Sequence, residues 1–280
     1  MRRKLTMTAL ALAATLLMSA AYAGSALAGG ERCSFAVVGS FEVDSPWSWG
    51  IGFDGTNLWV SSGQPFSHAD TTMFWVYTPE GSLVESFVQE GGTEWGARDL
   101  TFDGTYMFGS EDGQIRGFNA SGQYVGWFGG PLMPNRGLAY DGTYFYCCNY
   151  DNAVYKVLWS GTWNGPPDSI TPIISAADGF RYGLAYDEVR DCLWMTYADT
   201  TTARIERYGT DGTPEGTYST LPEYDTPAGA AMAYTSRGYV LAVLHIDSGH
   251  ASGTDRVVLY DVSDTPVETT SWGRIKELFR

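Results

Sequence analysis

The chain has 280 residues, and its 32 Asp and Glu residues outnumber its 17 Lys and Arg residues, so the formal net charge is −15 at pH 7. An acidic surface repels polyanions, and the charge therefore excludes nucleic acid and anionic membranes as direct partners. Hydrophobic residues make up 44% of the chain and charged residues 18%, a composition that supports a large buried core and excludes intrinsic disorder.

Residues 1–28 have the pattern of a secretory signal peptide. Three basic residues at 2–4 precede an apolar run over 9–17, and small residues follow up to an Ala-x-Ala cleavage motif at 26–28. A second such motif at 21–23 would serve as well. The apolar run is too short for a membrane span, so we predict a secreted or periplasmic monomer.

Five copies of one motif recur along the rest of the chain. They are Gly50-Ile-Gly-Phe-Asp-Gly-Thr56, Asp99-Leu-Thr-Phe-Asp-Gly-Thr105, Gly137-Leu-Ala-Tyr-Asp-Gly-Thr143, Gly183-Leu-Ala-Tyr-Asp-Glu188 and Ala231-Met-Ala-Tyr-Thr-Ser236. Successive copies are 38 to 49 residues apart, which is typical of propeller blades. Asp-Gly between two apolar runs predicts a tight hairpin in which both turn residues accept positive φ.

The repeats predict an all-β fold, because each copy continues into further strand-like runs. We expect a five-bladed β-propeller of four-stranded antiparallel blades over 29–268, since radial stacking buries both faces of each sheet. The segment 34–43 also reads as a strand and would close the last blade. The tail 269–280 has Trp272, Ile275, Leu278 and Phe279 on one helical stripe and predicts a short amphipathic helix.

The opening strand G-L-x-[FY]-D-G-T resembles the blades of secreted bacterial propellers of the NHL or Kelch type. The resemblance spans about Ser34 to Asp264 and implies the propeller fold. It implies no single activity, because propellers include hydrolases, lyases, lectins and scaffolds.

Four cysteines follow the predicted cleavage site, at positions 33, 147, 148 and 192. A bond between Cys147 and Cys148 would need a strained eight-membered ring, whereas either one could join Cys192 in the next repeat without that strain. We therefore favour a cross-repeat disulfide and keep the vicinal one as the alternative.

The residues immediately before the first strands are Trp49, Arg98, Arg136, Tyr182 and Ala230. Five equivalent positions of a propeller should surround the mouth of its central channel. Two arginines and two aromatic rings suit a carboxylate, an acidic sugar or a peptide terminus. We predict a ligand site there, while the alternative is that the arginines pair with local acids and the aromatic rings fill gaps between blades.

Carboxylates follow the second strand of several copies, and four of them are weak candidates for a Ca²⁺ site: Asp112, Asp151, Asp199 and Asp247. Aspartates in such loops more often cap their own turn, so no cofactor is predicted. The group His245, Asp247 and His250 is a weaker candidate for a transition-metal site.

These features favour a non-catalytic module that binds a small anionic ligand, a glycan or a protein. Enzymes are the alternative, either a metal-dependent hydrolase resembling gluconolactonases or an enzyme resembling the glutaminyl cyclotransferases. Trp59-Val-Ser-Ser-Gly63 is similar to the Y-E-S-T-G motif of the second family, but Val60 stands where that family carries its catalytic Glu. A structural cell-surface protein is a third hypothesis.

Overall fold

A computed structural model of the chain describes residues 35–45, 47–63, 72–149, 153–175, 180–199, 202–219, 226–246 and 255–263. The predicted signal peptide, the predicted helical tail and Cys33 lie outside these residues. Within the described ranges the protein consists of twenty β-strands joined by turns and loops. None of these residues belongs to a helix that is long and apolar enough to cross a bilayer.

The strands form five antiparallel sheets of four strands each, and each sheet is one blade. Blade 5 contains β18 (Thr226–Thr235), β19 (Gly238–Ile246) and β20 (Arg256–Asp261), and β1 (Ala36–Glu42) completes it. Blade 1 contains β2 (Ser48–Phe53), β3 (Leu58–Ser62), β4 (Met73–Tyr77) and β5 (Leu83–Val88). Blade 2 contains β6 (Leu100–Phe102), β7 (Met107–Ser110), β8 (Gln114–Phe118) and β9 (Tyr124–Gly129).

Blade 3 contains β10 (Leu138–Tyr140), β11 (Tyr144–Cys148), β12 (Val154–Leu158) and β13 (Ser169–Ile174). Blade 4 contains β14 (Phe180–Asp187), β15 (Cys192–Ala198), β16 (Ala203–Gly209) and β17 (Pro214–Ser219). The fold is a five-bladed β-propeller. The predicted number of blades and the closure of the last blade by the N-terminal strand are both confirmed.

The hydrophobic core lies between the blades rather than at one centre. Five clusters of buried side chains fill the five interfaces, one cluster for each pair of neighbouring blades. Both faces of every sheet are therefore buried, which is how a sheet that could not fold alone becomes stable within the ring.

The Asp-Gly turns differ in detail from the predicted hairpin. Gly55, Gly104 and Gly142 have φ between +93° and +95°, but the aspartates before them do not have positive φ. Each aspartate instead accepts two backbone N–H bonds at its Oδ1 atom, as Asp54 does from Thr56 at 2.8 Å and Asn57 at 2.7 Å. The connection is a four-residue loop held by an Asx turn, and the expectation of positive φ at both residues was wrong.

The Oδ2 atom of the aspartate in the Asp-Gly turn bonds to a side chain of the second strand. Asp54 Oδ2 accepts a bond from Trp59 Nε1 at 2.7 Å, and Asp141 Oδ2 accepts one from the Tyr146 hydroxyl at 2.7 Å. In blade 2 the equivalent position holds Phe108, which has no polar hydrogen to donate to Asp103. The repeat motif thus continues into a donor-bearing aromatic residue on the second strand in most blades.

The carboxylate of Asp99 holds the first strands together at the propeller axis. Its Oδ2 accepts backbone N–H bonds from Leu138 at 3.0 Å and Leu184 at 2.9 Å, and its Oδ1 accepts one from Ile51 at 3.4 Å. Asp99 is fully buried. Burial raises the pKa of Asp99 well above its ordinary value, and these N–H bonds lower it in part.

Glycines beside Asp99 allow the first strands to approach one another closely. A Cβ atom added to Gly50 would lie 2.3 Å from the Asp99 Cα, and one added to Gly183 would lie 2.3 Å from the Ala228 carbonyl oxygen. A Cβ on Gly229 would meet the Asp99 carboxylate at 2.6 Å. Backbone from several blades therefore fills the axis at this level and separates the two ends of the channel.

The predicted disulfides are absent from the described residues, because Cys147, Cys148 and Cys192 are free buried thiols. Adjacent residues of a strand point to opposite faces, so Cys147 packs between blades 2 and 3 while Cys148 packs between blades 3 and 4. Cys192 packs between blades 4 and 5. The three thiols lie in three different interfaces, and the cross-repeat prediction was wrong.

We expect the stability of the protein to depend on pH through Asp99. A raised pKa means that the folded state holds this proton more tightly than the unfolded state, so the stabilisation is complete below the unfolded pKa of about 4 and decreases as pH rises. Urea unfolding from pH 4 to 8 should show the wild type losing up to about 1.4 kcal/mol per pH unit relative to Asp99→Asn. Glu85→Gln, on an exposed strand, is the control. A difference that is constant with pH would contradict the assignment.

We also expect three free thiols in the Cys33→Ser variant. The folded variant should be unreactive towards a maleimide, because all three side chains are buried, and the variant unfolded in guanidinium without reductant should take up three labels by mass spectrometry. Uptake of a single label would show that two of these cysteines are joined.

Candidate ligand-binding face

The predicted site residues lie at the end of the axis where the chain enters the first strand of each blade. Trp49 and Tyr182 belong to β2 and β14, and Arg98 and Arg136 lie two residues before β6 and β10. The amide of Arg98 donates to the Ser110 carbonyl at 2.8 Å, and the Ser110 hydroxyl donates to the carbonyl of Arg136. Blades 2 and 3 therefore hold the two arginines side by side.

Arg136 extends to aromatic rings from two other blades. Its guanidinium carbon lies 5.4 Å from the centroid of the Trp49 ring in blade 1 and 5.2 Å from that of the Tyr182 ring in blade 4. Both distances are within the range of cation–π interaction. The structure thus brings together three of the four predicted residues, and only 2% of Arg136 is exposed.

The Trp49 ring is fixed by its surroundings. Its Nε1 atom donates to the Gly63 carbonyl at 3.2 Å, and its ring meets that of Trp95 edge to face at 5.5 Å. The centroid of the Trp47 ring lies 6.2 Å from that of Trp49. A ring held by one hydrogen bond and two neighbouring indoles presents a preorganised surface to Arg136.

Arg98 forms an ion pair with one of the Ca²⁺ candidates. Its Nη2 atom is 2.7 Å from Asp112 Oδ1, and the arginine side chain is 6% exposed whereas that of Asp112 is 37% exposed. This is the local pairing that the sequence analysis kept as the alternative. The buried Nη1 atom of Arg98 has no hydrogen-bond partner among the described residues.

The other metal candidates have different environments. Asp199 accepts bonds from the Thr202 amide at 2.8 Å and the Thr202 hydroxyl at 2.9 Å, so it caps its own loop. His245 is buried within β19 and its Nε2 shares a hydrogen bond of 3.0 Å with the Tyr260 hydroxyl. Asp151, Asp247 and His250 lie outside the described residues. The described part of the chain contains no group of three or more His, Cys, Asp or Glu side chains placed to hold a metal ion.

Ala228 occupies the position of blade 5 that is equivalent to Trp49, Arg98, Arg136 and Tyr182, which we call the lead-in position. The prediction of Ala230 was wrong. In blades 2 and 3 the Ser110 hydroxyl donates to the carbonyl of the lead-in residue Arg136, and in blades 4 and 5 the Thr196 hydroxyl makes the same bond to Ala228. The first strand of blade 5 runs further before its turn than the others, so an alignment on the turn places the lead-in residue two positions late.

Blade 4 contains a buried charged cluster that was not predicted from the sequence. Glu206 Oε2 is 3.4 Å from Arg181 Nη2, and Glu206 Oε1 is 2.8 Å from Arg204 Nε. The hydroxyl of Tyr208 donates to the same carboxylate at 3.3 Å, and burial raises the pKa of Tyr208. Arg204, Glu206 and Tyr208 alternate along β16 and therefore share one face, a signal that the sequence contains.

Blade 2 contains a second buried carboxyl group near this face. Glu111 follows β7, is 3% exposed, and lies 3.3 Å from Arg116 Nη1. Burial raises the pKa of Glu111, and the Arg116 charge lowers it in part. The guanidinium of Arg116 also lies 4.2 Å from the centroid of the Tyr124 ring. The pair is thus enclosed in the blade, where its contacts are those of a structural ion pair.

Comparison with known proteins identifies the fold and no family. No family model matches the sequence, so the predicted NHL or Kelch repeat type finds no match, and no curated protein matches it either. Among solved structures, the glutaminyl cyclase of Myxococcus xanthus is similar, with a TM-score of 0.58 and 11% sequence identity. The match covers 81% of this chain and 95% of that chain. At this identity the likeness concerns the propeller fold alone.

Proposed function

We propose that this propeller is a non-catalytic binding module that takes a small anionic ligand at the face formed by Trp49, Arg98, Arg136 and Tyr182. The observation that carries the proposal is the position of the Arg136 guanidinium, within reach of aromatic rings from two other blades at 5.4 and 5.2 Å. A carboxylate, an acidic sugar or a peptide carboxyl terminus matches this chemistry.

The geometry of arginine explains why such a site suits an anion. Stacking on aromatic rings uses the faces of the planar guanidinium, while its hydrogen-bonding capacity lies in its edge. Two carboxylate oxygens fit that edge in a bidentate pair. The rings also hold the guanidinium in place, so less conformational entropy is lost when a ligand binds.

Arg98 supplies an independent argument for a ligand with oxygen acceptors. A buried N–H group without a partner costs about 1–3 kcal/mol, and the buried Nη1 atom of Arg98 lacks one among the described residues. A ligand oxygen at this position would satisfy the donor. The Asp112 carboxylate at 2.7 Å meanwhile keeps the guanidinium oriented.

The charge of the whole protein is consistent with a small ligand. With a formal net charge of −15, the surface as a whole repels large polyanions. A short anionic group that reaches the arginines at the axis avoids most of that repulsion. The signal-like pattern of residues 1–28 adds to the proposal that the module works outside the cytoplasm, in the periplasm or in the medium.

We expect the double variant Arg98→Ala with Arg136→Ala to lose anion binding. Citrate and galacturonate are suitable probes, and the change in tryptophan fluorescence from Trp49 and Trp95 reports their binding. Loss of two charge-assisted contacts of about 1.5–3 kcal/mol each should weaken binding by about a hundredfold or more. Arg237→Ala, at an exposed arginine of the β18–β19 turn, is the matched control. Unchanged affinity in a double variant with a native circular dichroism spectrum would overturn the site.

A cyclising acyltransferase is the second candidate, since the similar solved structure is a glutaminyl cyclase. Val60, which stands where the glutaminyl cyclotransferase motif carries its catalytic Glu, is fully buried in β3. An aliphatic side chain supplies no acid–base group. We therefore expect no loss of ammonia from a peptide with an N-terminal glutamine, measured by mass spectrometry beside the M. xanthus enzyme. Turnover by this protein would replace the binding proposal with an enzymatic one.

A further inference from the structure

The opposite end of the axis contains a cavity of about 260 Å³ with contributions from all five blades. Its floor includes Leu100 and Leu184, which adjoin the Asp99 carboxylate, so the cavity is separated from the ligand-binding face by the filled axis. Six aromatic residues line the cavity: Phe53, Phe102, Tyr140, Tyr186, Tyr234 and Tyr239.

The repeat itself builds these walls. The fourth residue of the motif is aromatic in every copy, and it lies next to the turn at the end of the first strand. Phe53, Phe102, Tyr140 and Tyr186 are all partly exposed, and in blades 1, 3 and 4 the residue before them in the strand is buried. Each of these four residues packs against a different cluster between blades and also lines the cavity, so aromatic residues from four blades surround it.

Carboxylates give this aromatic cavity a negative rim. Glu188 is part of the lining and accepts a bond from the Tyr234 hydroxyl at 2.9 Å, and Asp191 accepts one from the Tyr186 hydroxyl at 2.9 Å. Burial and the Glu188 carboxylate raise the pKa of Tyr234 to about 12. A phenol that donates to a carboxylate has a more electron-rich ring, which is the face that attracts a cation.

The positive charge of Arg190 near the rim does not neutralise all of the carboxylates there. Arg190 pairs with Asp187 at 2.9 Å and so is engaged with the carboxylate next to Glu188. Burial raises the pKa of Tyr140, and the nearby negative charges of Asp103 in blade 2 and Asp141 raise it further. The second strand of blade 2 has Phe108 at the position where blades 1 and 3 have the donors Trp59 and Tyr146. Strand β7 therefore offers no side-chain donor to the Oδ2 atom of Asp103 at this position.

We propose that this cavity binds a small organic cation, namely a quaternary or alkyl ammonium group. Aromatic walls surrounded by carboxylates are the arrangement that recognises such groups, since the rings attract the charge without hydrogen bonds. The volume is below the ~300–1,000 Å³ of sites for drug-sized ligands, so the occupant is of the size of choline. The proposal is independent of the anion site at the other end of the axis.

Choline is the probe, and 3,3-dimethylbutanol is its neutral counterpart of the same shape. Isothermal titration with the full chain should show choline binding about tenfold or more tightly than the neutral compound, because only the charged group gains cation–π attraction. Equal affinity for the two compounds, or no choline binding by the folded protein, would overturn the proposal.

Variants at Tyr140 and Glu188 locate the site. Tyr140→Leu removes a ring and should weaken choline binding about fivefold or more, whereas Tyr140→Phe keeps the ring and should bind like the wild type. Glu188→Gln, at an exposed residue, should also weaken binding and serves if Tyr140→Leu fails to fold. The Arg98→Ala, Arg136→Ala double variant should bind choline normally. Choline affinity that is insensitive to both Tyr140→Leu and Glu188→Gln would place the cation elsewhere and refute the site.

Discussion

The hydrogen bonds of the Asp99 carboxylate on the propeller axis constrain the rest of the structure. Donors from blades 1, 3 and 4 meet an acceptor from blade 2, and glycine of blade 5 packs against the same group. The bond from Leu184 links blade 4 to blade 2 across the ring, whereas the apolar clusters join only neighbouring blades. Neighbour contacts set the rotation between successive blades, and the Asp99 carboxylate adds a link between blades that are not neighbours.

Both candidate sites depend on this arrangement. Above Asp99 the chain enters the first strands, and the lead-in residues place Arg136 near rings from blades 1 and 4. Below it the same strands end in aromatic residues that line a separate cavity. One repeat thus produces two chemically different ends, since the residue before its first position lies at one end and its fourth position lies at the other.

The fold could be predicted because its signals are periodic, whereas features that break the period were missed. The Asp-Gly turns and the aromatic fourth position recur in most copies, so the number of blades followed from them. The strand-like segment 34–43 before the first copy predicted the closure of the last blade. Asp99 occupies a position where three other copies have glycine, and that departure was the available sign of the axial carboxylate. Ala230 was misplaced because the first strand of blade 5 is longer. Cys147 and Cys148 alternate along β11, and this already argued against a bond between them.

The contact between Arg136 and Trp49 joins blades 1 and 3, and its distance depends on ring curvature that one sequence does not encode locally.

Closure of the ring by β1 has a consequence for biosynthesis. Ala36 pairs with Asp261, so the strand made first in the propeller waits for the strand made last. Until that strand emerges, blade 5 is incomplete and the array has two unprotected ends whose apolar faces and backbone groups are open to other chains. The propeller therefore gains its protection against aggregation in a single late step, when the last strand of blade 5 pairs with the first strand of the chain.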